Sequence, residues 1–159
     1  MRNVYVKEQA IAILKTYTEL PVGAKAPPIT GSSFDGQPSR LFLDNSSTPT
    51  IIFVISAVCP YCTQSWPTFK SVLDQASKES RPRVVFVDLT DLVDEAYLHR
   101  HRIERKAVIR NIDCETRIKY SFQITPQVIV VGRDGTIRGV WTGRLRPRDA
   151  KLVAATTLE

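Results

Sequence analysis

The side chains in this sequence best suited to covalent chemistry are Cys59 and Cys62, separated by Pro60 and Tyr61. A Cys-x-x-Cys pair can form a reversible disulfide or supply half of a zinc site. The neighbouring residues decide between them. Thr50–Ser56 is a continuous apolar run of strand length ending just before Cys59, and residues 60–79 place Trp66, Phe69, Val72, Leu73 and Ala76 on one helical face. Cys59 therefore stands where a buried strand passes into a long helix. The unpaired N–H groups and partial positive charge of a first helical turn favour a thiolate there. Cys62 follows one turn later, within reach of a mixed disulfide on Cys59. The expected reaction has two steps: Cys59 exchanges with a substrate sulfur and Cys62 resolves the intermediate. Zinc would need two more ligands, for which the remaining cysteine and histidines are Cys114, His99 and His101. A zinc knuckle sits on a tight turn between short strands, so the strand-to-helix setting favours redox chemistry.

Thr125-Pro126 is the second informative feature. Pro126 precedes the apolar run Gln127–Val131, where a proline removes a ladder donor. A cis bond here would turn the chain and expose neighbouring backbone groups.

The elements needed to position these residues can be read in order. Residues 3–17 suit a short amphipathic helix, with Ala10, Ile11, Leu14 and Tyr17 on its apolar face. Residues 18–40 are rich in Pro, Gly and Ser, with a small hairpin turning near Ser33-Phe34-Asp35-Gly36 and returning over Ser39–Leu43. After the strand at 50–56 and the helix at 60–79, which Pro67 should kink, come a buried strand at Val84–Val87 and a helix over 91–105. Val108-Ile109 is a short extended piece and 114–121 a short helix. Gln127–Val131 and Thr136–Trp141 form a hairpin around Gly132-Arg133-Asp134-Gly135, and Pro147 opens a last helix. Alternating strands and helices imply an α/β fold with helices on both faces of a central mixed sheet.

The 159 residues, 43% hydrophobic and 24% charged, fit one globular domain. We divide it into an N-terminal helical extension (1–20), a hairpin region (21–48) and a core (49–159). The formal charge is +6. Arg100, Arg102, Arg105, Lys106, Arg110, Arg133, Arg138, Arg144, Arg146 and Arg148 carry much of the excess, without the interleaved aromatics of a nucleic-acid surface, so they read as a solvated face. No segment is long and apolar enough to span a membrane as a helix. Cys114 reads as a half-buried, inert thiol, Trp66 and Trp141 as core or half-core residues, and His99 and His101 as surface residues.

Taken together, the strand, Cys59-Pro60-Tyr61-Cys62, the helix with Pro67, and Thr125-Pro126 ahead of a late hairpin resemble the thioredoxin superfamily. Pro21-Val22-Gly23-Ala24-Lys25-Ala26-Pro27-Pro28, Asp35-Gly36 and Val130–Ile137 resemble its TlpA/ResA-like, redoxin-type branch. The resemblance implies a three-layer sandwich, extended by the N-terminal helix and hairpin. It implies Cys59 as the nucleophile, Cys62 as the resolving thiol and Pro126 as the cis-proline. Pro60, Tyr61, Thr125 and Pro126 would meet substrate, with the Thr125 backbone pairing to an extended peptide. The implied activity is thiol-disulfide oxidoreduction on cysteine-containing proteins, with an upstream redox partner and no cofactor, metal or nucleic acid, in a monomer. The branch also implies a periplasmic or membrane-anchored protein whose targeting segment or tether lies outside this sequence. A cytoplasmic location is the alternative. Thioredoxin carries an acid where this chain has Phe53, and ResA-like proteins carry one where it has Ser65, which leaves the buried thiol without its usual proton acceptor. The expected reduction potential is roughly −150 to −230 mV, the range spanned by glutaredoxins and protein disulfide isomerase. Two rivals remain: a thiol peroxidase using Cys59, echoed in Ser56-Ala57-Val58-Cys59, and a zinc-binding or redox-silent adaptor.

Overall fold

The computed structural model describes residues 20–159. The expected helix at 3–17 lies outside the described residues.

Seven strands form one sheet: β1 (Ile29–Ser33), β2 (Pro38–Leu41), β3 (Thr50–Ile55), β4 (Arg83–Asp88), β5 (Val108–Arg110), β6 (Gln127–Val131) and β7 (Ile137–Thr142), in the order β2-β1-β5-β4-β3-β6-β7. β3 runs parallel to β4 and antiparallel to β6, so the sheet is mixed. Its central place explains its composition. All six residues of β3 are buried, and a strand covered on both faces has no position for a polar side chain to reach water.

The period of two along β3 divides the core. Ile51, Phe53 and Ile55 join the cluster that packs against helices α1 (Pro60–Glu79), α2 (Glu95–His101) and α4 (Pro147–Thr156). Ile52 and Val54 join the opposite cluster, with Ile29, Leu43, Ile129 and Tyr120 of helix α3 (Cys114–Tyr120). Helices thus cover both faces, as the alternation of elements implies. Full burial of one such aliphatic or aromatic side chain contributes about 2 kcal/mol.

Several boundaries differ from the sequence reading. The helix expected over 91–105 is shorter. Asp94 caps its start by accepting from the Tyr97 N–H at 2.8 Å, and Arg102, with φ 56°, ends it in the left-handed region. A single 3-10 turn, Arg105–Ala107, then leads into β5. The first hairpin returns over Pro38–Leu41, two residues shorter at its end than expected. Helical assignment runs unbroken through Pro67.

Candidate functional site

Cys59 is the N-cap of α1, with extended backbone angles, φ −85° and ψ 117°. Its N–H donates to the Ser56 carbonyl at 3.2 Å, and the Thr63 N–H donates to the Cys59 carbonyl at 3.2 Å. These two bonds fold the chain out of β3 and close the first helical turn, leaving Cys59 half-buried at the helix start. No acidic residue lies in that turn, so nothing negative opposes a thiolate there. Cys62 points inward and is fully buried in the cluster of Phe53, Ile55 and Trp66.

The chain places Thr125 and Pro126 against the thiols. The Thr125–Pro126 peptide bond is cis. The Cys59 Sγ–H donates to the Thr125 carbonyl at 3.3 Å, and the Gly143 N–H holds the Pro126 carbonyl at 2.8 Å from the end of β7. Tyr61 is exposed beside the pair, as are Val58 and Ile124. Of the residues expected at the site, Cys59, Cys62 and Thr125 are therefore brought together by contact, and Pro60, Tyr61 and Pro126 adjoin them in sequence.

The two thiols differ electrostatically. Burial pushes the Cys59 thiol up, but hydrogen bonds to its thiolate from Thr125, Cys62 and the Tyr61 backbone outweigh that and hold it below its ordinary value. The Thr125 contact works in both directions. Its carbonyl accepts the proton of the neutral thiol, while its side chain donates to the thiolate, and the balance favours the thiolate. Burial pushes the Cys62 thiol up to about 12, and the neighbouring Cys59 adds to the rise against a hydrogen bond from the Ser56 backbone. A ready nucleophile thus sits over a thiol that keeps its proton.

The two positions where the resemblance would place an acid, Phe53 and Ser65, are filled otherwise. Phe53 stacks on Phe86 with ring centroids 5.2 Å apart. Ser65 is buried, donates to the Tyr61 carbonyl at 2.7 Å and accepts from the Leu145 N–H at 3.1 Å, tying α1 to the segment before α4. The sequence reading missed a different acid, Asp88. It ends β4 in register with Ile55, whose side chain shares the cluster of Cys62. Asp88 is fully buried. Its Oδ2 accepts from the Val93 N–H at 2.9 Å and lies 3.7 Å from Arg110, while its Oδ1 has no hydrogen-bond partner among the described residues. Burial pushes its carboxyl up, against the Val93 and Arg110 contacts. Its sequence signal was a charge closing the apolar run Val84–Val87.

Two further readings are corrected. Cys114 is exposed, because it is the first residue of α3 and the helix turns it outward. His101 is half-buried rather than at the surface: it stacks on Trp66 with centroids 4.0 Å apart and planes 9° from parallel. Burial, Arg100 and Lys70 lower it to about 4. His99 is exposed, Trp66 is core and Trp141 half-buried, as expected. Among the described residues, no three His, Cys, Asp or Glu side chains group as a metal site.

No protein-family description matches this sequence, and no curated protein does. Solved structures do match. A thiol:disulfide interchange protein of the thioredoxin family from Chlorobium tepidum TLS superposes with a TM-score of 0.64 at 18% identity, over 87% of this chain and 99% of that one. A secreted Mycobacterium tuberculosis disulfide oxidoreductase homologous to E. coli DsbE gives 0.58 at 16% identity, over 79% and 93%. A peroxiredoxin-like protein from Aquifex aeolicus gives 0.60 at 16% identity, over 87% and 88%. With its mixed sheet, its covering helices and these likenesses, the chain has the thioredoxin-like fold.

Proposed function

We propose that this chain is a thiol-disulfide oxidoreductase acting on cysteines of other proteins through Cys59 and Cys62. The observation that carries the reading is the asymmetry of the pair: a half-buried thiol with a lowered pKa at a helix N-cap, above a fully buried thiol pushed up to about 12. In the reducing direction the Cys59 thiolate attacks one sulfur of a substrate disulfide, and the other substrate sulfur leaves as a thiolate. Cys62 then loses its proton and attacks the Cys59 sulfur, releasing the second substrate thiolate. Two electrons pass from the pair to the substrate, and the reverse sequence oxidises a substrate dithiol. An extended substrate backbone would pair at Thr125, next to the Cys59 sulfur, with Pro60, Tyr61 and Pro126 bordering it. An upstream redox protein would reset the pair.

The likeness to interchange proteins supports this reading, and that to a secreted protein supports a site of action outside the cytoplasm. The likeness to a peroxiredoxin-like protein makes peroxide the competing substrate. The test is a mixed-disulfide trap. Cys62→Ser should accumulate a covalent adduct with a disulfide-bonded protein substrate and Cys59→Ser should not. Rapid peroxide consumption by the wild-type chain without exchange activity would overturn the proposal. Equilibration with glutathione should give a potential of roughly −150 to −230 mV, and a value at or below thioredoxin's, about −270 mV, would refute that part.

A further inference from the structure

Arg144 is held beside the thiol pair by hydrogen bonds on either side of it. The Gly143 N–H donates to the Pro126 carbonyl at 2.8 Å. This bond continues the β6–β7 register, in which Gln127 stands opposite Thr142. One step further along that register puts Arg144 level with Thr125, whose carbonyl meets the Cys59 sulfur at 3.3 Å. On the other side, the Leu145 N–H donates to the Ser65 hydroxyl at 3.1 Å, and that hydroxyl donates to the Tyr61 carbonyl at 2.7 Å. Leu145 is buried and Arg144 exposed. The backbone that carries Arg144 is thus tied both to the cis-proline segment and to the helix of the two cysteines.

A cleft of about 600 Å³ opens at this point, by the edge strand β7 and the start of α4. Its lining includes Thr142 and Arg144, the two neighbours of Gly143, and the half-buried Trp141. Two cations line it, and they differ. Arg146 is matched, with its Nε 3.4 Å from an Asp149 carboxylate oxygen. Arg144 forms no ion pair among the described residues. The first turn of α1 holds no acid either. The β7 side of the thiol site therefore presents an exposed guanidinium without a carboxylate partner.

We propose that Arg144 and this cleft form a specificity subsite, which selects substrate cysteines that have an aspartate or glutamate within two residues. The proposal rests on the oxidoreductase reading above. A substrate backbone extended along Thr125 advances about 3.4 Å per residue, so two residues carry a side chain about 7 Å from the reacting sulfur, towards the next position in the register. A carboxylate arriving there meets the guanidinium fork with both oxygens, and the Trp141 ring offers an apolar wall to its methylenes. Because the pair is exposed, it favours encounter and choice of partner rather than tight binding. The chemistry stays with Cys59 and Cys62.

Single-turnover exchange tests this. The reduced full chain, in excess, is mixed with peptides whose one cysteine is blocked as a mixed disulfide with 2-mercaptoethanol, and release of the peptide thiol is followed by chromatography. The peptides differ only in carrying Glu, Gln or Phe two residues to either side of the cysteine. The Glu peptide should react about fivefold faster than the Gln peptide, the size of an exposed charge pair's effect, and added salt should shrink the difference. Arg144→Gln should bring the Glu and Gln peptides to equal rates. Arg148→Gln, an exposed cation outside the cleft, should keep the fivefold preference. Equal rates with the wild type, a preference that survives in Arg144→Gln, or one lost as fully in Arg148→Gln would each overturn the proposal, the last by assigning it to the overall positive charge. Fastest reaction of the Phe peptide would overturn it too, by giving the cleft to apolar side chains on Trp141. Exchange with every peptide at one rate would leave the oxidoreductase reading standing, whereas no exchange with any peptide would refute that reading and this proposal with it.

Discussion

The sulfur of Cys59 lies 3.3 Å from the carbonyl oxygen of Thr125, a residue 66 positions further along the chain. This contact joins the two features that stood out in the sequence. It also puts the thiol beside a backbone whose donors and acceptors an extended peptide could share. Replacing Cys59 by Ser should reduce disulfide exchange with a model protein substrate to the uncatalysed rate, whereas Cys62→Ser should retain the first step and stall there. Non-reducing electrophoresis with mass spectrometry reads both.

The asymmetry of the thiols sets a pH dependence. In the reduced protein, iodoacetamide should label Cys59 with a midpoint below that of a free thiol, about 8.5, and should leave Cys62 unmodified over the same range. The raised pKa of Cys62 also acts on stability. Its folded value, about 12, exceeds its unfolded one, so the unfolded chain releases this proton first. Reduced protein should lose stability as pH rises from about 8.5 towards 12, and Cys62→Ala should show a shallower loss in urea titrations.

Ser65, where the resemblance would place an acid, serves as an anchor. Its hydroxyl accepts from the buried Leu145 N–H at 3.1 Å. Ser65→Ala should leave that donor unpaired and cost about 1–3 kcal/mol in chemical denaturation, with the Cys59 labelling midpoint little changed.

His101 predicts an opposite pH effect at the acid end. Its folded pKa, about 4, lies below the usual 6.5, so the fold prefers the neutral ring. This contribution to stability is present above pH 6.5 and is lost as pH falls towards 4. His101→Phe, which keeps an aromatic ring against Trp66, should flatten that part of the stability profile. Asp88, whose carboxyl burial pushes up, acts in the other sense, losing stability as pH rises above about 4, and Asp88→Asn should remove that loss.

Gly31 shows how closely the first hairpin approaches the core sheet. A Cβ there would come within 2.4 Å of the Arg110 carbonyl oxygen, in the strand that pairs with β1. Gly31→Ala should push β1 from β5 and cost about 1–3 kcal/mol, measured by thermal denaturation.

Local pattern accounts for what was legible. Strand β3, helix α1 from Pro60 to Glu79 and strand β6 were placed to within a residue, because a continuous apolar run and a 3.6-residue stripe are properties of contiguous sequence. The end of α2 was not legible, because Arg102 adopts a left-handed cap that only Gly or Asn normally announces. Nor was the burial of His101, since its partner Trp66 lies 35 positions away on another helix.

By itself the sequence determined the CxxC spacing, the strand-to-helix junction that carries it and the order of elements that makes an α/β sheet, all consequences of local periodicity and helix-end chemistry. Only the tertiary structure decided which groups meet. Pairing β3 between β4 and β6 brought Asp88 onto the face of Cys62 and Thr125 onto Cys59, and burial then separated the two thiols into one that ionises readily and one that does not. Such contacts depend on register and crossing between distant segments, which no local pattern encodes.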